Sequence, residues 1–305
     1  MGAFLLRRLF GAVIVLLGVT TAVFIVLHFA GDPVALLAPP EATKGDLARY
    51  RHLLGLDQPA PVQYVKFLGG LARGDLGRSF RYDEPVSRLV LERVPATLQL
   101  TLAAIIFALA LALPLGVVAA VKRNSPIDTV VSIFAFLGMA IPVFWLGIML
   151  IIVFAVRLHI LPTSGYGTWK QLILPSVTLG TYPLAQFTRL VRSEMLEILS
   201  QDYIRTARAK GLRESTVLFH HAIANASISL VTLVGINVGV LLGGAIITET
   251  IFAWPGIGRL VVQAIEFRDF PLVQGAVLFV AIITIAINLI VDVLYGVLDP
   301  RTRLA

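Results

Sequence analysis

The chain has 305 residues, 57% of them hydrophobic and 14% charged, with a formal net charge of +7. A soluble domain averages about 25% charged residues, so these totals, with a mean hydropathy of +0.88, fit a membrane protein and not a soluble domain. With zero cysteines, disulfides, thiol nucleophiles and thiolate metal sites are excluded; the basic balance reads as what orients a polytopic protein, not as a nucleic-acid surface.

Six charge-free intervals of at least 18 residues follow in order: 9–31, 94–121, 129–156, 171–188, 215–248 and 270–291. About 20 apolar residues in a helix cross about 30 Å of hydrocarbon, so each interval is predicted to hold one span. A barrel would show alternating segments of about 10 residues instead. The run from Leu9 exceeds the roughly 7–15-residue core of a signal peptide and no convincing cleavage site follows, so it is expected to stay as the first span. The expected fold is all-α and integral to the membrane, with six transmembrane helices.

An even number of spans puts both termini on one side. Twelve basic residues fall on that side: Arg7, Arg8, Lys122, Arg123, Arg189, Arg192, Arg205, Arg208, Lys210, Arg213, Arg301 and Arg303. Four fall on the other in short connections: Arg157, Lys170, Arg259 and Arg268. The positive-inside rule therefore makes the termini cytoplasmic; residues 32–93 form a long outer segment whose charges count little. That segment is expected to be ordered, with a short amphipathic helix around Asp46 to Leu54, a second apolar stripe, and a turn at Gly74, Asp75 and Gly77. The glycines are not a phosphate cradle, because Gly-Lys-Ser/Thr occurs nowhere in the chain. The predicted organisation is residues 1–31 as N-terminus and first span, 32–93 outside, 94–300 as a five-helix core, and 301–305 as a cytoplasmic tail. Pro114, Pro142, Pro175 and Pro183 interrupt the spans, either as packed kinks or along a wet pathway.

The charged stretch DYIRTARAKGLRESTVLFHHAIANA, residues 202–226, reads as helix, hinge, helix. Asp202 suits an N-cap or first turn, Tyr203 to Lys210 are helix formers apart from Thr206, and Gly211 supplies the helix end. A second helix is expected from Arg213 and Glu214 into span 5, whose interval is too long for one crossing. Small Ala207 and Ala209 beside Gly211 would allow close approach by another protein, so the stretch looks like a docking knob.

RTARAKG, residues 205–211, resembles the E-A-A-x-x-x-G motif of bacterial ABC-importer permeases, specifically the first permease of the dipeptide, oligopeptide, nickel and glutathione group. Further resembling pieces are GDP at 31–33, GDLGRS at 74–79, LPTSGYG at 161–167, ILPSVTLG at 173–180, ETIFAWPGIGRL at 249–260, RDFPLVQG at 268–275 and DVLYGVLDPRTR at 292–303. The resemblance covers essentially the whole chain and implies the type I importer permease fold, with coupling helices at about 194–226. It implies that this chain binds no cofactor and is no enzyme, ATP and Mg being held by two partner ATPase subunits. A similar second permease and an extracytoplasmic substrate-binding protein complete the implied assembly, in a bacterial or archaeal plasma membrane and without nucleic acid. Arg205, Thr206 and Ala207 stand at the E-A-A positions and Gly211 at the glycine, so Asp202, Arg205, Thr206, Ala207, Arg208, Lys210 and Gly211 are the implied ATPase-coupling residues. Arg205 and Thr206 depart from the letters E and A, and Ser229 stands where the branch commonly has proline.

Glu249 and Asp292 near span ends, and Asn237 and Asn288 within spans 5 and 6, are candidates for a pathway or gate, weighed against local neutralisation and interhelical hydrogen bonding. Adjacent His220 and His221 lack the i, i+4 spacing of a metal pair. Trp145, Trp169 and Trp254 fit interfacial or packing roles, and Trp254-Pro255-Gly256 is expected to turn outside span 5. An ion-coupled secondary transporter, the alternative reading, would want carboxylates at mid-depth, and the six intervals hold none. An intramembrane enzyme would want paired catalytic groups at depth, and none occurs at a usable spacing. Peptide is the default substrate; dipeptide, longer peptide, glutathione and nickel chelate are all compatible with the resemblance.

Overall fold

The structure is a computed structural model that describes residues 2–29, 31–34 and 42–298. Arg301 and Arg303, and the side chains of Arg7 and Asp292, lie outside the described residues. Among those described, the backbone is helix and turn, with a single isolated bridge between Arg78 and Pro85. The helices are α1 Gly2–Phe29, α2 Lys44–Leu53, α3 Ala60–Leu71, α4 Val86–Leu91, α5 Val94–Val121, α6 Pro126–Ala140, α7 Val143–Leu150, α8 Trp169–Leu199, α9 Asp202–Ala209, α10 Glu214–Thr216, α11 Ala224–Gly244, α12 Ile246–Ile251, α13 Ile257–Glu266 and α14 Phe270–Leu298. Wider π-helical turns, Ile151–Arg157 and Val217–Ile223, extend α7 and link α10 to α11.

Three continuous stretches are long and apolar enough to cross a membrane: Arg8–Phe29, Val86–Val121 and Phe270–Ile290. Two more are broken pairs, Pro126–Ala140 with Val143–Arg157, bent by 105°, and Glu214–Ser227 with Ser229–Gly243, bent by 47°. Interval 129–156, predicted to hold one span interrupted at Pro142, is two helices with a sharp break at that proline. Pro142 cannot donate to a helix and forces the residue before it out of the α region, and Ile141 accordingly sits at φ −73°, ψ 125°. The remaining interval, 171–188, lies in α8, which continues through Arg189, Arg192, Glu194 and Glu197 to Leu199. At 31 residues it is about 46 Å long. Its charged and polar residues, such as Arg189, Ser193 and Glu197, lie on its exposed side, while its buried side is mostly apolar.

The chain divides into two compact units, residues 1–97 with 255–285, and residues 98–254 with 286–305. In the first unit, α1, α4, α13 and the start of α14 share an apolar core of Leu27, Val86, Val90, Leu260, Leu272 and Val273. Between α1 and α5 the described residues form short helices: α2 opens with a capping box between Thr43 and Asp46, and α3 follows Pro59. Asp269, 1% exposed, gathers the turn at 79–81. It accepts from Ser79 Oγ, Phe80 N (3.1 Å) and Arg81 N (3.2 Å), and from Leu272 N (3.3 Å) at the start of α14. Asp32 accepts from Arg51 Nε at 2.9 Å, and its carbonyl accepts from Arg268 Nη1 at 3.3 Å. Three motifs far apart in sequence, GDP, GDLGRS and RDFPLVQG, are thereby tied together. A cavity of about 590 Å³ lies beside them, lined among others by Phe24, Asp32, Arg51, Lys66 and Gln274.

In the second unit α5, α6, α7 and α11 pack around α8. Lipid tails are as apolar as these side chains, so close packing and hydrogen bonding hold such helices together more than the hydrophobic effect does. Gly180 shows the packing directly: a Cβ there would stand 2.7 Å from Ala104 O and 2.8 Å from Phe107 Cδ1 on α5. Only hydrogen fits that crossing. Three threonine hydroxyls on α8 return to its own carbonyls, Thr178 to Leu174 (2.8 Å), Thr181 to Val177 (2.6 Å) and Thr188 to Leu184 (2.7 Å), and so pack in the interior without an unmet donor. The loop before α8 folds against the turn after α12. Gly165 N donates to Phe252 O (3.2 Å), and the ring of Tyr166 meets Trp254 edge-on at 4.9 Å. Trp254 is buried, so packing is the role the structure gives it.

Candidate functional site

The stretch predicted as helix, hinge, helix is built that way. α8 ends at Leu199, Ser200 and Gln201 turn the chain, and α9 starts with Asp202 in its first turn. The boundary expected near residue 194 moves, because residues 194–199 complete α8. After α9 the backbone stops in a Schellman arrangement: Gly211 N donates to Arg208 O at 2.9 Å and Leu212 N to Ala207 O at 3.4 Å. Gly211 has φ +75°, a left-handed conformation that costs an L side chain about 1–2 kcal/mol. The glycine therefore has a defined task, ending α9 sharply.

Arg208 then reaches across the bend. Its Nη2 and Nε donate to Glu214 Oε1 and Oε2 at 2.7 and 3.1 Å, a two-pronged pair joining the last turn of α9 to the first residue of α10. Hydrogen bonding to Glu214 raises the Arg208 pKa further above its ordinary value, so the guanidinium stays charged. Ile204 and Ala207 are buried, and Tyr203 Oη accepts from Asn225 Nδ2 at 3.2 Å, fixing α9 against the helix that continues into α11. Arg205, Thr206, Arg208, Ala209, Lys210 and Gly211 are exposed. Here the structure corrects one expectation: Ala207 does not belong to an outward docking face. It is small because α9 lies close on its own chain, while Ala209 does face outward. Arg205 Nη1 lies 3.4 Å from Asp202 Oδ1, with both side chains largely exposed, so the pair contributes little to stability and leaves the arginine available to another surface.

The other candidates do not gather around this elbow. Asn237 is 4% exposed and donates to Gln186 Oε1 (3.1 Å) and Leu233 O (2.9 Å), the interhelical bond weighed against a pathway role. Glu249 on α12 is fully buried within its unit. Asn288 on α14 is exposed. His220 and His221 stack edge to face at 5.4 Å, and the described residues contain no cluster of three or more potential metal ligands.

One pair of consequence was missed in the sequence. Asp128, in the first turn of α6, accepts from Arg192 Nε at 2.6 Å and Nη2 at 2.8 Å, with side chains 6% and 29% exposed. The same carboxylate accepts from Asn124 N at 3.0 Å, while Ser125 Oγ caps the helix by accepting from Asp128 N at 3.4 Å. The S-P-I-D run ahead of an apolar stretch carries the capping signature, but nothing in it announces an arginine 64 positions later. The pair holds the start of α6 to α8 two turns before α9.

Residues 112–304 match the family described as binding-protein-dependent transport system inner membrane component, and residues 1–101 match its N-terminal companion. The chain is 42% identical over 335 residues to the dipeptide transport system permease protein DppB of Escherichia coli, covering 98% of each chain. It is 40% identical over 313 residues to the oligopeptide transport system permease protein AppB of Bacillus subtilis, covering 99% of each. In fold it is similar to a chain of the MetNI methionine ABC transporter in an inward-facing conformation. That likeness has TM-score 0.59 at 20% identity over 70% of this chain and 97% of that one. The chain belongs to the family of inner-membrane permease components of binding-protein-dependent transport systems.

Proposed function

We propose that this chain forms half of the translocation pathway of an ATP-driven importer of di- or oligopeptides, with the 202–213 elbow as the handle through which ATPase subunits move it. The observation that carries the reading is an exposed, basic, rigidly terminated α9 fixed to its own core through Ile204 and Ala207, in a chain full-length similar to dipeptide and oligopeptide permeases. ATP drives transport only if its binding energy differs between two states of the permease. A short helix with an ordered exit, braced by Arg208 and Glu214 and followed directly by membrane helices, is a stiff element able to carry that difference.

In this reading Asp202, Arg205, Thr206, Arg208, Lys210 and Gly211 meet the ATPase, and Ala207 positions the helix from behind. ATP and Mg belong to the two ATPase subunits; a second permease completes the pathway, and an extracytoplasmic binding protein delivers the peptide. The elbow and both termini are then cytoplasmic, in the plasma membrane of a bacterium or archaeon. The test is reconstitution of the chain in liposomes with and without its partner subunits. Uptake of labelled peptide is expected only with the second permease, the ATPases, the binding protein and ATP together. Uptake by this chain alone under an ion gradient would replace the reading with a secondary transporter.

A further inference from the structure

The exposed positions of α8 are unlike those of its neighbours. Outward residues on α5 are apolar, such as Leu102, Ile106 and Leu111, and so are Phe134 and Phe136 on α6. Along α8 the outward strip is Tyr182, Arg189, Ser193 and Glu197, all exposed, with Gln186 half-buried among them; it is polar at every step and spaced by four, three, four and four residues, which is one helical face. A hydroxyl or amide turned into hydrocarbon without a partner costs roughly 2–7 kcal/mol. The strip therefore does not face lipid.

Its hydrogen bonding says what it could face. Gln186 Nε2 donates to Tyr182 Oη at 3.0 Å, and Gln186 Oε1 accepts from Asn237 Nδ2 at 3.1 Å, so the amide is held in place between α8 and α11. The Tyr182 oxygen thus acts as acceptor, and its own hydrogen has no acceptor among the described residues. The Arg189 contact is to Met139 Sδ on α6, at 3.4 Å; among the described residues it has no carboxylate partner. What remains unspent on the Tyr182–Arg189 part of this face is a row of donors: a phenol O–H, the second amide N–H of Gln186, and a guanidinium. The complement of such a row is a row of acceptors.

Resting on the reading of the chain as a peptide permease, we infer that Tyr182, Gln186 and Arg189 line the path of the translocated peptide. Tyr182 and Gln186 offer hydrogen bonds to its backbone carbonyls, and Arg189 pairs with its carboxylate. Asn237 is a positioning residue that orients Gln186. The chain has zero cysteines, so single cysteines give a clean test in the complete assembly with its partners. Cysteine in place of Tyr182, Gln186 or Ile106 is exposed to a small hydrophilic thiol reagent from the aqueous side, and adducts are read by the mass of this chain. Positions 182 and 186 are expected to react much faster than 106, with modification blocking uptake and transported peptide slowing the reaction. Arg189→Gln is expected to lower uptake about tenfold, the size of one lost charge-assisted hydrogen bond, with Arg189→Lys recovering part of it. Reaction at 182 and 186 no faster than at 106, or full uptake after modification, overturns the inference. Uptake by the unmodified assembly in the same vesicles shows separately whether the peptide-permease reading stands.

Discussion

Gly211→Asp abolishes ATP-driven uptake while the protein still accumulates in the membrane at normal abundance. The left-handed φ of +75° is tolerated by aspartate better than by most residues, and a Cβ at this position has nothing within 4 Å to strike. The cost to folding is therefore about 1 kcal/mol, a minor part of a domain's stability. What changes is the surface: a carboxylate and added bulk at the apex of an exposed, basic bend. If that bend seats in a partner, its docking energy is lost and uptake falls on the order of 100-fold, the upper end of ordinary coupling free energies. Immunoblotting of membranes beside uptake of labelled peptide checks both halves. Gly211→Asn, matched in shape but neutral, retains more activity. Preserved uptake in Gly211→Asp removes the docking role.

Asp128→Ala is the second large effect, and it acts on stability before it acts on transport. Removing one partner of an enclosed ion pair leaves the other charge uncompensated, at a cost of about 3–5 kcal/mol. The substitution also takes away the acceptor for Asn124 N and the acidic residue in the first turn of α6. Arg192→Met also destabilises, because it strands the more enclosed Asp128 carboxylate, which keeps its bond from Asn124 N. The double variant is less destabilised than the sum of the two, because the stranded guanidinium is gone. Equilibrium unfolding in mixed micelles gives the three values. Additivity within about 0.5 kcal/mol would mean that the pair does not couple α6 to α8.

What could be read in the sequence depended on the range of the interaction. The span in 94–121 and the end of α9 at Gly211 were legible because hydrophobic runs and helix stops are local signals. In segment 129–156 the absence of charge marked a span but not how sharply it bends; Pro142 marked the break, and the 105° angle needed the structure. Ala207 was assigned outward because a small side chain permits close approach in either direction, and only burial shows which surface approaches. Asp128 with Arg192 and Asp269 with Ser79 were not legible as pairs, since residues brought together by tertiary packing leave no mark on either short motif. The face of α8 running from Tyr182 to Glu197 needed the structure for the same reason. Its period was present, but whether it pointed inward or outward was not.

The most direct measurement places a photoreactive residue at Arg205 in the assembled transporter in native membranes. The account predicts a covalent adduct with an ATPase subunit, formed from the cytoplasmic side, with a yield that changes when ATP is bound. Adducts confined to lipid or to the extracytoplasmic binding protein, with none to an ATPase, would contradict it.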